Sequence, residues 1–208
     1  MIKSDMKRWY FEVGNDNIRD FIKEYDFGFV PEIGVNISAD SQSPINKEFE
    51  EKYKELKITN TYKSKVDIRQ MPYEDNSIDI LITEWVLEHV AHVWEAPPEI
   101  YRVLRVGGIT IHHVPFMYPE HGVHDLFRFT RLGLEDLFSE FEVLQLDCSG
   151  HQEITNFLMK YRSNHSERKK FVDEKIASKK IIDKVGYGFV GNLCSCSVWG
   201  CFRKGEKK

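Results

Sequence analysis

The 208-residue chain has no run of about 18 apolar residues, so no segment reads as a membrane-crossing helix. Its first residues, MIKSDMKRWYFEV, lack the apolar stretch and cleavage site of a signal peptide, and a cytoplasmic location is expected. Positive charge is not in excess either. A formal net charge of -4 gives a nucleic-acid backbone no electrostatic reason to bind, and no nucleic-acid partner is indicated. Cysteine is scarce, and Cys194, Cys196 and Cys201 crowd into LCSCSVWGC. That stretch lacks the paired C-x-x-C spacing of zinc sites and nothing marks the chain as secreted, so reduced thiols on a strand are expected. The chain also has no G-x-G-x-x-G and no H-E-x-x-H. The second absence argues against a hydrolase metal site drawn from Glu84, Glu88, His89 and His92, and no metal is expected.

What is present is the composition of a folded core. Hydrophobic residues make up 41% and charged residues 30%, with Phe at 14 and Tyr at 9. The length suits a single α/β domain over residues 1–208. A short strand is expected at 8–13, followed by a turn and a helix whose apolar residues at 18, 21, 22 and 25 share one face. A second strand is expected at 33–37, a charged helix at 47–56 and a weak third strand at 61–68. Residues 77–83, SIDILIT, have the near-continuous apolar character of a central parallel strand covered on both faces, and the Asp79 within them needs a partner. A helix or helical turn is expected over 84–93 and a helix from the Pro97-Pro98 pair, with Gly107-Gly108 ending it before a strand at 109–114. His112 and His113 fall on opposite faces of that strand, so one metal cannot easily take both. Thr130 reads as a helix cap, 141–146 as a strand, 153–161 as helix, 163–184 as a charged excursion and 188–203 as strand-like.

This order is that of an open α/β sheet with helices on both faces, and such sheets bind ligands beyond the carboxyl ends of their strands. The residues after the expected strands then gather at one edge: those around Gly14, Asn36, Asp67-Ile68, Glu84-Trp85 and the stretch from Val114 to His121.

The ordered combination of MPYEDNSIDI, VLEHV, EIYRVLRVGG and FRFT, roughly residues 67–138, resembles the Rossmann-like, class I S-adenosylmethionine-dependent methyltransferases of the type 11 group. The resemblance implies a three-layer fold with a mostly parallel central sheet and an antiparallel strand near the C-terminus. It also implies S-adenosyl-L-methionine as cofactor and methyl transfer to a small-molecule or glycan-related acceptor. On the family pattern, Glu12 and Gly14 stand for the acidic residue and glycine loop of the first strand, and Asn36 for the residue that meets the ribose. Asp67 and Ile68 stand for the adenine contacts, and Glu84 and Trp85 border the methyl. Tyr118, His121 and Arg128 then form the acceptor wall. His121 is the expected catalytic base, and Arg128 either pairs with Asp125 or receives an anionic substrate. Glu88 and His89 read as supports for the loop, and Phe127 and Phe129 as core.

The sequence departs from the pattern where GNDNI replaces the three-glycine loop and Asn36 replaces an acid. A catalytically inactive, methyltransferase-like interaction or scaffold domain is therefore the alternative. A protein partner or the segment 163–184 is expected to cover the donor pocket.

Overall fold

The computed structural model describes residues 16–38, 43–61, 65–149 and 197–206. The expected strand at 8–13, the helix at 153–161 and the charged excursion at 163–184 lie outside them, as do Glu12, Gly14, Cys194 and Cys196. Chain order runs α1 (Asp16–Glu24), β1 (Ile33–Ser38), α2 (Pro44–Lys52), β2 (Lys57–Thr61), β3 (Ile78–Glu84), α3 (Ala96–Val103), β4 (Leu104–Pro115), α4 (Arg131–Leu137), β5 (Glu142–Ser149) and β6 (Ser197–Arg203). The six strands form one sheet in the order β2-β1-β3-β4-β6-β5, with β1, β2, β3 and β4 parallel and β6 antiparallel to both of its neighbours.

Alternation along the strands sorts side chains into two cores. Ile80, Ile82, Ile109, Ile111 and Trp199 meet Ile18 and Ile22 of α1 and Ile45 and Phe49 of α2. On the other face Val35, Ile37, Leu81 and Val114 meet Ile100 and Val103 of α3 and Leu134 of α4. The result is the expected three-layer sandwich. Asp79 finds its partners at the start of β1, where its Oδ2 accepts from the amides of Glu32 (2.7 Å) and Ile33 (2.8 Å), and it pairs with Arg105. Among the described residues no helix is long and apolar enough to cross a membrane.

Three local expectations need correction. The helix expected at 47–56 begins earlier, because Ser43 caps it by accepting from the amides of Ile45 and Asn46, and Pro44 fits the first turn, where no amide hydrogen is needed. The strand expected at 61–68 lies at Lys57–Thr61, leaving Asp67 in a single bridge to Gln70. The helix or helical turn expected over 84–93 takes the second form, as two short 3-10 turns, Leu87–His89 and Val93–Glu95. Trp85 (φ 57) and His92 (φ 53) are left-handed and interrupt any continuous helix there. The Gly107-Gly108 pair lies inside β4, since α3 stops at Val103.

The strand order also changes the rank of β1. After β1 the chain moves outward to β2, then crosses back to place β3 on the other side of β1. Among the described strands, β1 and β3 therefore flank the topological switch point where doubly wound sheets take ligands. Asn36 thus belongs to the strand at the switch point, a position that the sequence reading gave to Glu12 and Gly14.

Candidate functional site

At the carboxyl edge of β1, β2 and β3 a chain of short polar side chains crosses the sheet. Asn36 Nδ2 donates to Asn46 Oδ1 (2.6 Å) and to Glu84 Oε1 (3.1 Å), and Asn46 Nδ2 donates to Asn60 Oδ1 (2.6 Å). Asn36 and Glu84 are 0% and 1% exposed, which makes their pairing obligatory in energetic terms. Asn36 Oδ1 is buried without a hydrogen-bond partner. A ligand carrying a donor group at this edge would satisfy it. Residues 39–42, which follow β1 in sequence, lie outside the described residues. Sequence reasoning found Asn36 and Glu84 but missed Asn46 and Asn60, because polar residues ten and fourteen positions apart carry no periodic signal.

Asp67 sits on the surface with both carboxylate oxygens facing Arg69, at 3.0 Å to Nε and 2.7 Å to Nη2. The Arg69 hydrogen bond holds its pKa below the usual carboxylate range. Ile68 is 2% exposed and packs into the core beside Val35 and Leu87, so its side chain presents no face to solvent.

The second half of the site follows β3 and β4. Trp85, left-handed immediately after Glu84, donates its amide to the carbonyl of His113 (2.9 Å). Its ring packs against His113 (5.4 Å), Tyr118 (4.9 Å) and His121 (5.7 Å). A non-glycine residue held at positive φ beside a ligand edge is local strain of the kind kept at working sites. Arg128 does not stand open for an anion: it forks onto Asp125 at 2.5 and 2.6 Å and also donates to the carbonyls of Tyr118 and Phe127. This holds Asp125 at about 2, against the opposing effect of its burial. Phe129 is buried and Phe127 packs against the same core.

His121 lies between two carboxylates, with Nε2 3.3 Å from Glu88 Oε1 and Nδ1 3.1 Å from Asp125 Oδ2. His89 Nε2 is 3.5 Å from the same Glu88 oxygen. Both nitrogens of His121 thus face carboxylates, and the ring reaches an acceptor only through something bound beside it. The two strand histidines are buried on opposite faces as expected. His112 Nδ1 meets Thr83 Oγ1 (2.7 Å) and its Nε2 meets Thr110 Oγ1 (2.9 Å), while Thr110 donates its own hydroxyl to Leu81 (3.0 Å). Thr110 can then only accept, which places the ring proton of neutral His112 on Nε2. Burial pushes His112 and His113 down to about 3.

Residues 27–112 match the methyltransferase domain family, a stretch that opens just before β1 and ends in β4. No curated protein matches the sequence. Among solved structures the chain is similar to the complex of the Haloferax volcanii Trm112 methyltransferase activator with a methyltransferase, at 11% identity and a TM-score of 0.55, covering 99% of this chain and 96% of that one. It is also similar to Haemonchus contortus phosphoethanolamine N-methyltransferase 2 with phosphomonomethylethanolamine and S-adenosylhomocysteine, at 10% identity and a TM-score of 0.56, covering 96% of this chain and 57% of that one. A loganic acid methyltransferase holding SAH aligns at 8% identity and a TM-score of 0.55, covering 96% and 94%.

Proposed function

The chain carries the Rossmann-like, class I fold of the S-adenosylmethionine-dependent methyltransferases, and from that premise we propose that it transfers a methyl group from this donor to a small-molecule acceptor. The observation that carries the reading is the unpartnered, fully buried Oδ1 of Asn36 at the switch point. An orphaned buried acceptor costs about 1–3 kcal/mol, and the ammonium and ribose hydroxyls of S-adenosylmethionine are donors of the kind that would remove this cost.

When bound, the donor supplies an electrophilic methyl on a sulfonium whose thioether leaving group needs no proton. The protein's task is alignment and the exclusion of water. Asn36 holds the donor end at the switch point, and Glu84, fixed by Asn36, keeps that edge polar. Asn60, at the carboxyl end of β2, is placed to meet the ribose. Asp67 accepts from the adenine amino group through the lone pairs that Arg69 leaves over, and Ile68 contributes its backbone while its side chain anchors the turn. Trp85 and Tyr118 form the acceptor wall, and Arg128 shapes that wall by holding Asp125. Glu12 and Gly14 have no part in this reading. A protein partner that covers the donor pocket is its finer extension, supported by likeness to the Haloferax volcanii structure, which is a complex with an activator.

The rival reading, a non-catalytic interaction domain, has its own support: Asn36, Asn46 and Asn60 already bond to one another across the edge where the donor would lie. Calorimetric titration with S-adenosylmethionine and S-adenosylhomocysteine separates the two. Saturable binding of both, weakened by Asn36→Ala, supports methyl transfer. Folded protein that takes up neither ligand at millimolar concentration leaves the interaction domain.

A further inference from the structure

The structure assigns a divalent cation site of the zinc type to Glu88, His89 and His121. The inference does not depend on methyl transfer. It joins two pieces of sequence that share no motif: the Leu87–His89 turn after β3, and the loop after β4 that brings in His121. One ligand atom from each of the three residues lies within 4.8 Å of the others.

Spacing favours a metal over a plain ion pair. With bonds of about 2.0–2.1 Å, neighbouring ligand atoms of a tetrahedral zinc stand roughly 3.3–3.5 Å apart. Glu88 Oε1 is 3.3 Å from His121 Nε2 and 3.5 Å from His89 Nε2. The carboxylate supplies a second, independent pointer. Glu88 is 0% exposed, and neither of its side-chain oxygens has a hydrogen-bond partner. A buried carboxylate left so is costly, and coordination is one of the few arrangements that compensates it.

The outer neighbours are those that metal-bound histidines use. His89 faces the carbonyl of His124 through Nδ1 (3.2 Å), and its Nε2 is the nitrogen turned towards Glu88. His121 presents Nδ1 to Asp125 at 3.1 Å, and Asp125 is itself held by the fork of Arg128. Carboxylate, imidazole and cation thus fall in sequence, with His121 Nε2 turned to Glu88. The backbone fixes the same geometry, since the amides of Leu126 and Phe127 both donate to the carbonyl of Glu88. Gly122 leaves room for the His89 ring, because a Cβ there would stand 3.2 Å from its Cε1. A set of two imidazoles and one carboxylate suits a borderline cation better than magnesium or calcium. Three protein ligands leave a tetrahedral ion one further position, and the site stands beside Trp85 and Tyr118, whose rings touch His121.

The test uses the full chain, stripped with a chelator and titrated with Zn²⁺ alone against a competing colorimetric chelator, with no methyl donor present. The expected result is one tight equivalent for the native chain. Loss by more than about 100-fold is expected in Glu88→Gln and His121→Gln, and a loss of about 10- to 100-fold in Asp125→Asn, the range for a group that acts through a ligand. His92→Asn should bind as the native chain does. X-ray absorption at the zinc edge of the native protein should report two imidazoles and oxygen, which covers the case of a variant that fails to fold. A sulfur-dominated shell, absence of a stoichiometric ion, or affinity unchanged by all of the ligand substitutions overturns the assignment. Because no donor is present, failure of the methyltransferase reading would leave this result where it stands.

Discussion

Asn36 and Glu84, at the carboxyl ends of neighbouring parallel strands, are joined by a 3.1 Å hydrogen bond with both side chains buried. Replacing Asn36 with Ala removes a donor from the Glu84 carboxylate and from Asn46 Oδ1, and the expected loss is roughly 1–3 kcal/mol in urea denaturation. Asn36→Asp sets a second carboxylate beside the first, and like charges at that spacing cannot both ionise without cost. Its stability deficit relative to the native chain should shrink as the pH falls from about 7 towards about 5, where carboxylates held above their ordinary pKa gain protons. A deficit that stays constant over that range would refute the shared environment of the two residues.

His112 and His113 are held neutral, with burial lowering each to about 3. In the unfolded chain they titrate near their ordinary value of about 6.5, so below that pH the unfolded state binds more protons and stability falls. Their contribution is therefore complete above about 6.5 and is lost progressively towards about 3, at up to about 1.4 kcal/mol per pH unit for each imidazole. Urea midpoints measured between neutral pH and about 4.5 should fall steadily over this range. A flat profile would mean that these rings are not buried neutral.

Asp67 is exposed, and its pair with Arg69 is of the solvent-screened kind, so Asp67→Ala should change stability by less than about 1 kcal/mol. On the proposed reading it should weaken S-adenosylmethionine binding by roughly tenfold, the worth of one hydrogen bond to a charged acceptor. Calorimetry checks both halves, and unchanged affinity with unchanged stability would free Asp67 of any part in the site.

Gly108 has no space for a side chain. A Cβ there would come within 2.9 Å of the Arg105 carbonyl and 3.0 Å of the Asp79 carbonyl, both backbone atoms. Gly108→Ala should cost about 1–3 kcal/mol by forcing β3 and β4 apart at the point where their register already shifts. A thermal midpoint equal to the native one would show that the two strands can give way there.

How far the sequence reached can be traced element by element. The apolar run around Ile80, Leu81 and Ile82 announced a central strand because every side chain there enters one of two cores. The α1 helix was legible from Ile18 and Ile22, one turn apart on one buried face. After β3 the pattern left helix and helical turn both open, and the choice was not legible because the left-handed backbone at Trp85 and His92 leaves no trace in hydrophobic periodicity. At the candidate site, Asn36, Asp67 and Glu84 could be picked out by their place after strands. The partners that define what they do could not, because Asn46, Asn60 and Arg69 are ordinary polar residues until the chain folds them together. The same holds for His121, which the sequence offered as a lone base and which folding delivers to Glu88 and His89.

The slot that β6 fills, between β4 and β5, has a consequence for the order of events during synthesis. Among the described strands β5 pairs only with β6, and β4 has β6 along its outer side. Until residues 197–203 have left the ribosome, both of these edges lack that partner, and one of them belongs to β4, the longest of the described strands. Open edges of this kind recruit other chains. β6, made after the two strands it joins, is therefore the one that closes these edges against other copies of the chain, and the nascent chain must be kept from pairing with others until β6 arrives.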